Sequence, residues 1–163
     1  MTLVDMLVGF ASTGQIGPLH CGMPLAGAED LLGPGRPHPA IRMFGPDLDG
    51  YPYSWDGLEL SVTQRQVSGI CISLSPGSTV TLPSLVLPGA ESYSATVLRE
   101  ELIAALDTAG CGHEINGVLT FGRQSSIRTE PADVCVVFSL PRGDHEVPHR
   151  DRFYLGVMHK HIE

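Results

Sequence analysis

Residues 55–74 read WDGLELSVTQRQVSGICISL, and this stretch predicts a β-hairpin. Apolar and polar residues alternate from Leu58 to Thr63, which is the period of two that is typical of a strand with one buried face. Gln64, Arg65 and Gln66 form a short polar turn, and the alternation resumes from Val67 to Leu74. One face of this hairpin has to be covered, so the rest of the chain must supply a layer that packs on it.

The chain of 163 residues is long enough for one domain, and 42% of its residues are hydrophobic, which is sufficient for a core. No run approaches the roughly 20 apolar residues that a membrane-spanning helix needs. The first residues lack the basic region of a secretory signal, and Asp5 lies where an apolar segment would be. We therefore expect a cytoplasmic protein that does not enter a membrane.

The net charge of −8 argues against nucleic acid as a partner, because phosphate binding needs a basic surface. The same charge favours a basic protein as partner. The chain has four cysteines, none of them in a CxxC pair, and we expect all four to be thiols in a reducing compartment.

Further elements follow from periodicity and from the positions of Gly and Pro. Three amphipathic helices are predicted at 2–11, 25–32 and 96–109, with Ser94 or Thr96 as the cap of the third. Short edge strands are predicted within 36–54 and 80–87, and a last strand at 153–158. A second hairpin is predicted with arms at 117–121 and 134–138, and a further short strand near Ile127.

Together these elements predict an α+β fold, in which an antiparallel sheet of hairpins is covered on one face by short helices. The chain is treated as a single domain over 1–163. The order of helix, strand, polar turn and strand with a central cysteine occurs twice, so a duplicated helix–hairpin unit, with pseudo-repeats at 15–87 and 92–163, is one explanation of the length.

Residues 16–74 resemble a known group of proteins. Gly22-Met23, the acidic Glu29 and the run from Leu31 to Pro34 are similar to the entry helix of the BamE/SmpA and β-lactamase-inhibitor-protein group. In that group an aromatic residue and an antiparallel hairpin follow the helix, as Trp55 and 58–74 do here. The resemblance implies a protein-binding α/β module. The composition and layout are also similar to those of cytosolic actinobacterial immunity proteins, which neutralise toxins.

Four aromatic residues precede or open the hairpin: Phe44, Tyr51, Tyr53 and Trp55. Large aromatic side chains in a loop are typical anchors of protein–protein contacts. The first hypothesis is therefore a non-catalytic protein-binding module, such as a toxin-neutralising immunity or inhibitor protein, with these four residues as its binding site.

The alternative is a small enzyme or ligand-binding protein with a pocket between the sheet and the 96–109 helix. His113, His145 and His149, with neighbouring Asp and Glu residues, are its candidate acid and base groups. A buried cavity lined by two or more of these groups favours the enzyme, and a filled core with an exposed aromatic or acidic face favours the binding module.

Other chemistry lacks a sequence signature. The chain contains no G-x-S-x-G elbow, phosphate loop or dinucleotide fingerprint, so no catalytic nucleophile and no cofactor are predicted. His159 and His161 have the spacing of two metal ligands on one strand face, but they lie near the C-terminus without an obvious third ligand. A frayed end is the preferred interpretation, and no metal is predicted.

Overall fold

The computed structural model describes residues 1–88 and 92–162, and two helices at the start of the chain are followed by strands with two further helices among them. The helices are α1 (Leu3–Thr13), α2 (Leu25–Leu32), α3 (Pro39–Phe44) and α4 (Arg99–Thr108), with a 3₁₀ turn, η1, at Gly117–Leu119. The strands are β1 (Arg36–Pro37), β2 (Tyr51–Trp55), β3 (Leu58–Thr63), β4 (Gln66–Ser73), β5 (Thr79–Val80), β6 (Tyr93–Ser94), β7 (Gly112–Ile115), β8 (Gln124–Glu130), β9 (Cys135–Ser139) and β10 (Tyr154–His161).

Eight strands form one antiparallel sheet in the order β1-β2-β3-β4-β10-β9-β8-β7, and β5 pairs with β6 in a separate small sheet. The α+β class and the antiparallel sheet of hairpins are confirmed. The last strand is longer than predicted and lies at the centre of the sheet, where it joins β4 to β9. The interpretation of His159 and His161 as a frayed end is therefore wrong, because β10 is bonded on both sides.

The predicted hairpin is β3 and β4, and its turn residues are Gln64 and Arg65. Both have positive φ angles, 52° and 58°, which is the backbone of a two-residue hairpin turn that matches the twist of the strands. Asp49 supports the turn because its Oδ1 accepts a hydrogen bond of 2.7 Å from the Gln64 amide. On the buried face, Leu60 lies opposite Ile70, and both are fully buried.

Helix α1 begins at a capping box, in which Thr2 and Asp5 each accept from the other's amide, and it ends at Gly14 with φ 71°. Its apolar side is buried, and its carbonyl at Ala11 accepts a hydrogen bond of 2.7 Å from the Thr129 hydroxyl on β8. Helix α1 also packs on α4. The covering layer that the hairpin pattern required is thus supplied partly by the start of the chain, which crosses to the C-terminal half of the sheet.

The predicted strand arm at 117–121 is wrong, because the segment contains η1 and the strand that pairs with β9 is β8. The physical reason is local hydrogen bonding. The Thr120 hydroxyl donates to the Asn116 carbonyl at 2.8 Å and accepts from the Ser126 amide at 3.1 Å, which holds a turn in place of an extended strand. The short strand expected near Ile127 is present as β8.

Residues 36–54 contain the expected short strands β1 and β2, but also helix α3, which the sequence pattern did not predict. Pro39 occupies the first turn, and His38 caps the helix because its Nδ1 accepts from the Ala40 amide at 3.1 Å. Residues 41–44 therefore form part of a helix instead of a strand.

Two smaller expectations also differ. In 80–87 the strand ends at Val80, because the Pro83 carbonyl accepts from the Val86 and Leu87 amides and closes a turn. Helix α4 has no side-chain cap, since the Thr96 hydroxyl accepts from the Gly77 amide instead, at 2.8 Å.

Candidate functional site

Three exposed apolar side chains lie on α3 and on the strand that follows it. Met43 is 76% exposed, Phe44 72% and Tyr51 38%. Helix α3 has only six residues and buries only Ile41, so its last turn presents its two large side chains to solvent. We call Met43, Phe44 and Tyr51 the α3 patch.

The start of α3 carries polar and charged side chains. The His38 ring packs against the Tyr51 ring, with 5.0 Å between centroids, and this contact ties the start of α3 to β2. Arg36, His38 and Arg42 line a cleft of about 230 Å³ whose opposite wall includes Glu59. This cleft therefore contains side chains of both charges.

Tyr53 and Trp55 are buried, each with 8% of its surface exposed. The Trp55 indole Nε1–H donates to the Gly33 carbonyl at 2.9 Å, and its ring lies where a side chain at Gly35 would have to be, 2.6 Å from a Cβ built there. Trp55 thus fixes the chain after α2 against β2. It also lines an open cleft of about 510 Å³ with Arg36.

The four aromatic residues predicted as a binding site therefore occupy one region but have different positions in it. Phe44 and Tyr51 are available to a partner, whereas Tyr53 and Trp55 hold the surface that presents them. Met43 was missed by the sequence reasoning, because a strand over 41–44 would give no reason for its exposure.

The three candidate histidines are not brought to one cavity. His113 on β7 bonds to Asp107 of α4 at 2.8 Å. His145 lines a cavity of about 230 Å³ that neither of the other two histidines lines. His149 is exposed, and its backbone amide donates to the Tyr154 hydroxyl at 3.3 Å.

The cavity at His145 lies between the sheet and the loop before β10, not between the sheet and helix α4. The condition set for the enzyme hypothesis, two or more of these histidines around one cavity, is not met there.

His159 and His161 share one face of β10, with 4.8 Å between their ring centroids. Burial lowers the pKa of His159, with a smaller effect of the Arg128 charge. Burial also lowers the pKa of His161, helped by its neighbour His159. Within residues 1–88 and 92–162, no three His, Cys, Asp or Glu side chains come together in a way that could hold a metal ion.

The four cysteines are free thiols. Burial raises the pKa of Cys21 and of Cys71, so neither thiol carries the activation that a nucleophile needs.

A second set of exposed apolar side chains lies at the end of the edge strand β7 and in the segment that follows it. Ile115 is 72% exposed, Val118 86% and Phe121 61%. The sequence reasoning missed them because it placed two of them in a strand arm. Strand β7 is at the opposite end of the eight-stranded sheet from β1, so the two exposed apolar groups belong to different ends of the sheet.

Comparison with protein-family models, with curated proteins and with solved structures finds no match. In the part of the chain that the structure describes, no helix has the length and apolar character to cross a membrane.

Proposed function

We propose that this chain is a non-catalytic protein-binding module and that the α3 patch is its contact surface. The observation that carries the proposal is the exposure of Met43 and Phe44, 76% and 72%, on a short helix whose position is fixed on both sides. Exposed large apolar and aromatic side chains that are grouped rather than scattered indicate a surface that a partner covers.

The rigidity of the surroundings supports this role. His38 caps α3 and packs on Tyr51, while Trp55 holds the preceding segment through its bond to Gly33. A preorganised surface loses less conformational entropy on binding than a mobile loop does, so more of the contact energy remains as affinity.

The expected chemistry of the partner follows from the net charge of the whole chain, which acts over distance, and from the local charge on α3, which acts at contact. The net charge of −8 attracts a basic protein over distance. On the same helix as Met43 and Phe44, Arg42 favours an acidic group in the partner's contact surface. A basic toxin with a small acidic and apolar contact region has this chemistry. A toxin-neutralising immunity or inhibitor protein of a bacterial cytoplasm is the role we propose, in line with the resemblance of residues 16–74.

The test is photo-crosslinking from the patch, followed by titration. A photoreactive phenylalanine analogue replaces Phe44 in one preparation and Phe121 in a second, because both positions are exposed aromatics in the native chain. The protein captured from position 44 is then purified and titrated with the wild-type chain and with Phe44→Ala.

The expected result is that Phe44→Ala raises the Kd at least tenfold, about 1.4 kcal/mol, without a change in Tm. The matched variant Phe121→Ala should bind as the wild type does. Equal Kd values for wild type and Phe44→Ala would contradict the proposal.

A further inference from the structure

The loop between β9 and β10 is held in a defined conformation by two arginines. The Arg150 guanidinium donates to the carbonyls of Arg142 and His145, at 2.7 Å each. The Arg123 guanidinium donates to the Pro141 carbonyl at 3.0 Å. These bonds satisfy backbone carbonyls inside the loop, so the loop keeps its shape without secondary structure of its own.

The loop also packs on the turn after β4. A Cβ at Gly77 would lie 2.6 Å from the Glu146 carbonyl oxygen, so this contact requires glycine. Between the loop and the sheet remains a cavity of about 230 Å³. It is lined by Leu74, Ser75, Pro76, Ser139, Leu140, Arg142, His145, Tyr154 and Gly156.

The polar side chains around this cavity are those of Ser75, Ser139, Arg142, His145 and Tyr154, and the exposed Arg142 is a cation. No carboxylate of the described residues lies within 4.0 Å of the Arg142 guanidinium. The Nδ1 atom of His145 accepts from the Arg142 amide at 3.1 Å, which places the proton of the neutral ring on Nε2.

Tyr154 adds a donor from the buried side. Its side chain is 1% exposed, and its hydroxyl oxygen accepts from the His149 amide. None of the described residues accepts the hydroxyl hydrogen in return. A buried hydroxyl that lacks an acceptor is costly unless water or a ligand supplies one.

The acidic groups of the same loop do not line the cavity. Asp144, Glu146 and Asp151 are absent from its wall, although they are close in sequence. The wall of the cavity therefore carries a cation and no carboxylate, in a chain whose net charge is negative.

We propose that this cavity binds a small organic anion. Its carboxylate or phosphate group is held by Arg142, with hydrogen bonds from His145 Nε2 and the Tyr154 hydroxyl. Its short apolar part packs against Leu74 and Leu140. Charge-assisted bonds from a guanidinium are the strongest of these contacts. The volume of about 230 Å³ lies below the roughly 300–1,000 Å³ of pockets for drug-sized ligands, so a small ligand suits the cavity.

The experiment is an NMR titration of the ¹⁵N-labelled protein with sodium acetate, sodium butyrate and inorganic phosphate, at one ionic strength maintained with sodium chloride. The reporters are the backbone amides of Ser139, His145 and Gly156. The variants are Arg142→Gln, which removes the cation, and Tyr154→Phe, which removes the hydroxyl but keeps the ring. Arg152→Gln is the control, because Arg152 is an exposed arginine of the same loop that does not line the cavity.

The expected result is that the shifts at the three amides saturate with at least one anion. The Kd of that anion should be at least tenfold higher in Arg142→Gln and unchanged in Arg152→Gln. Tighter binding of butyrate than of acetate or phosphate identifies a carboxylate with an apolar part, whereas phosphate as the tightest ligand identifies a phosphate ester. Tyr154→Phe should also weaken binding, and this variant decides the question if Arg142→Gln does not fold. Shifts that stay linear with all three anions, or equal binding by wild type and the cavity variants, would overturn the proposal.

Discussion

His159 and His161 connect the pH of the solution to the stability of the central strand. Burial lowers the pKa of both rings in the folded state, so the folded protein binds fewer protons than the unfolded chain below the ordinary value of 6.5. The two histidines therefore do not reduce the free energy of unfolding above about pH 6.5, and they reduce it as the pH decreases towards their lowered pKa values. We expect the urea midpoint to decrease between pH 7.5 and 5.5.

The double variant His159→Gln/His161→Gln isolates this effect from the carboxylates that also titrate at low pH. Its urea midpoint should change less with pH over this interval than the wild-type midpoint does. His20→Gln serves as the control, because His20 is exposed and lies outside the sheet. A pH profile of the double variant that runs parallel to the wild type would count against the argument.

Substitutions of Trp55 and of Phe44 distinguish a role in stability from a role in binding. Because it is buried and donates to Gly33, Trp55→Ala should lower the free energy of unfolding by about 3–5 kcal/mol. Phe44→Ala should change it by less than about 0.5 kcal/mol, since that side chain is mostly exposed. Urea denaturation of the two variants measures the difference. A Trp55→Ala protein as stable as the wild type would show that the indole does not hold α2 on β2.

At the scale of elements, substitutions in the β3–β4 turn can raise the stability of the protein. Gln64 and Arg65 adopt positive φ angles that cost residues with a Cβ about 1–2 kcal/mol each, and Asn-Gly is the preferred pair for such a turn. Replacing both residues by Asn-Gly should raise the free energy of unfolding by about 1 kcal/mol. This gain is net of the exposed Arg65–Asp47 ion pair at 3.0 Å, which contributes little.

The control for this substitution is Arg65→Gln, which removes the ion pair but keeps a residue with a Cβ, and therefore the backbone strain, at position 65. Its stability should stay within about 0.5 kcal/mol of the wild type in the same denaturation experiment. A less stable Asn-Gly variant would mean that the contacts of the native turn outweigh its backbone strain.

The elements that sequence could predict are those whose pattern is local. Period-two alternation predicted β3 and β4, and the apolar stretch at 2–11 with Gly14 after it predicted α1. Two of the segments that differed depend on side-chain hydrogen bonds. The Thr120 hydroxyl turns a predicted strand into η1, and the His38 cap turns another into α3. Neither hydrogen bond can be predicted from hydrophobic periodicity, because both are made by polar side chains.

At the scale of the whole molecule, the candidate site depends on burial that only the tertiary fold decides. Phe44 and Trp55 look equivalent as aromatic anchors in the sequence, yet one is exposed and the other is clamped by the segment after α2. The same applies to His113, His145 and His149, which the topology distributes over an edge strand and a loop. The central position of β10 likewise depends on long-range pairing. Its partner β4 lies 80 or more residues earlier in the chain, and its partner β9 lies about 20 residues earlier.

The pairing of β10 with β4 predicts that the two proposed pseudo-repeats unfold together, because β4 belongs to the first repeat and β10 to the second. Leu102 on α4 is fully buried, so Leu102→Ala should lower the free energy of unfolding by about 2–5 kcal/mol. Trp55, the only tryptophan, lies in the other repeat and reports on it by fluorescence. If the sheet is one cooperative unit, the fluorescence and far-ultraviolet circular dichroism transitions should shift to the same lower urea concentration. A fluorescence transition that stays at the wild-type midpoint while the dichroism transition splits would show that each repeat holds its own core.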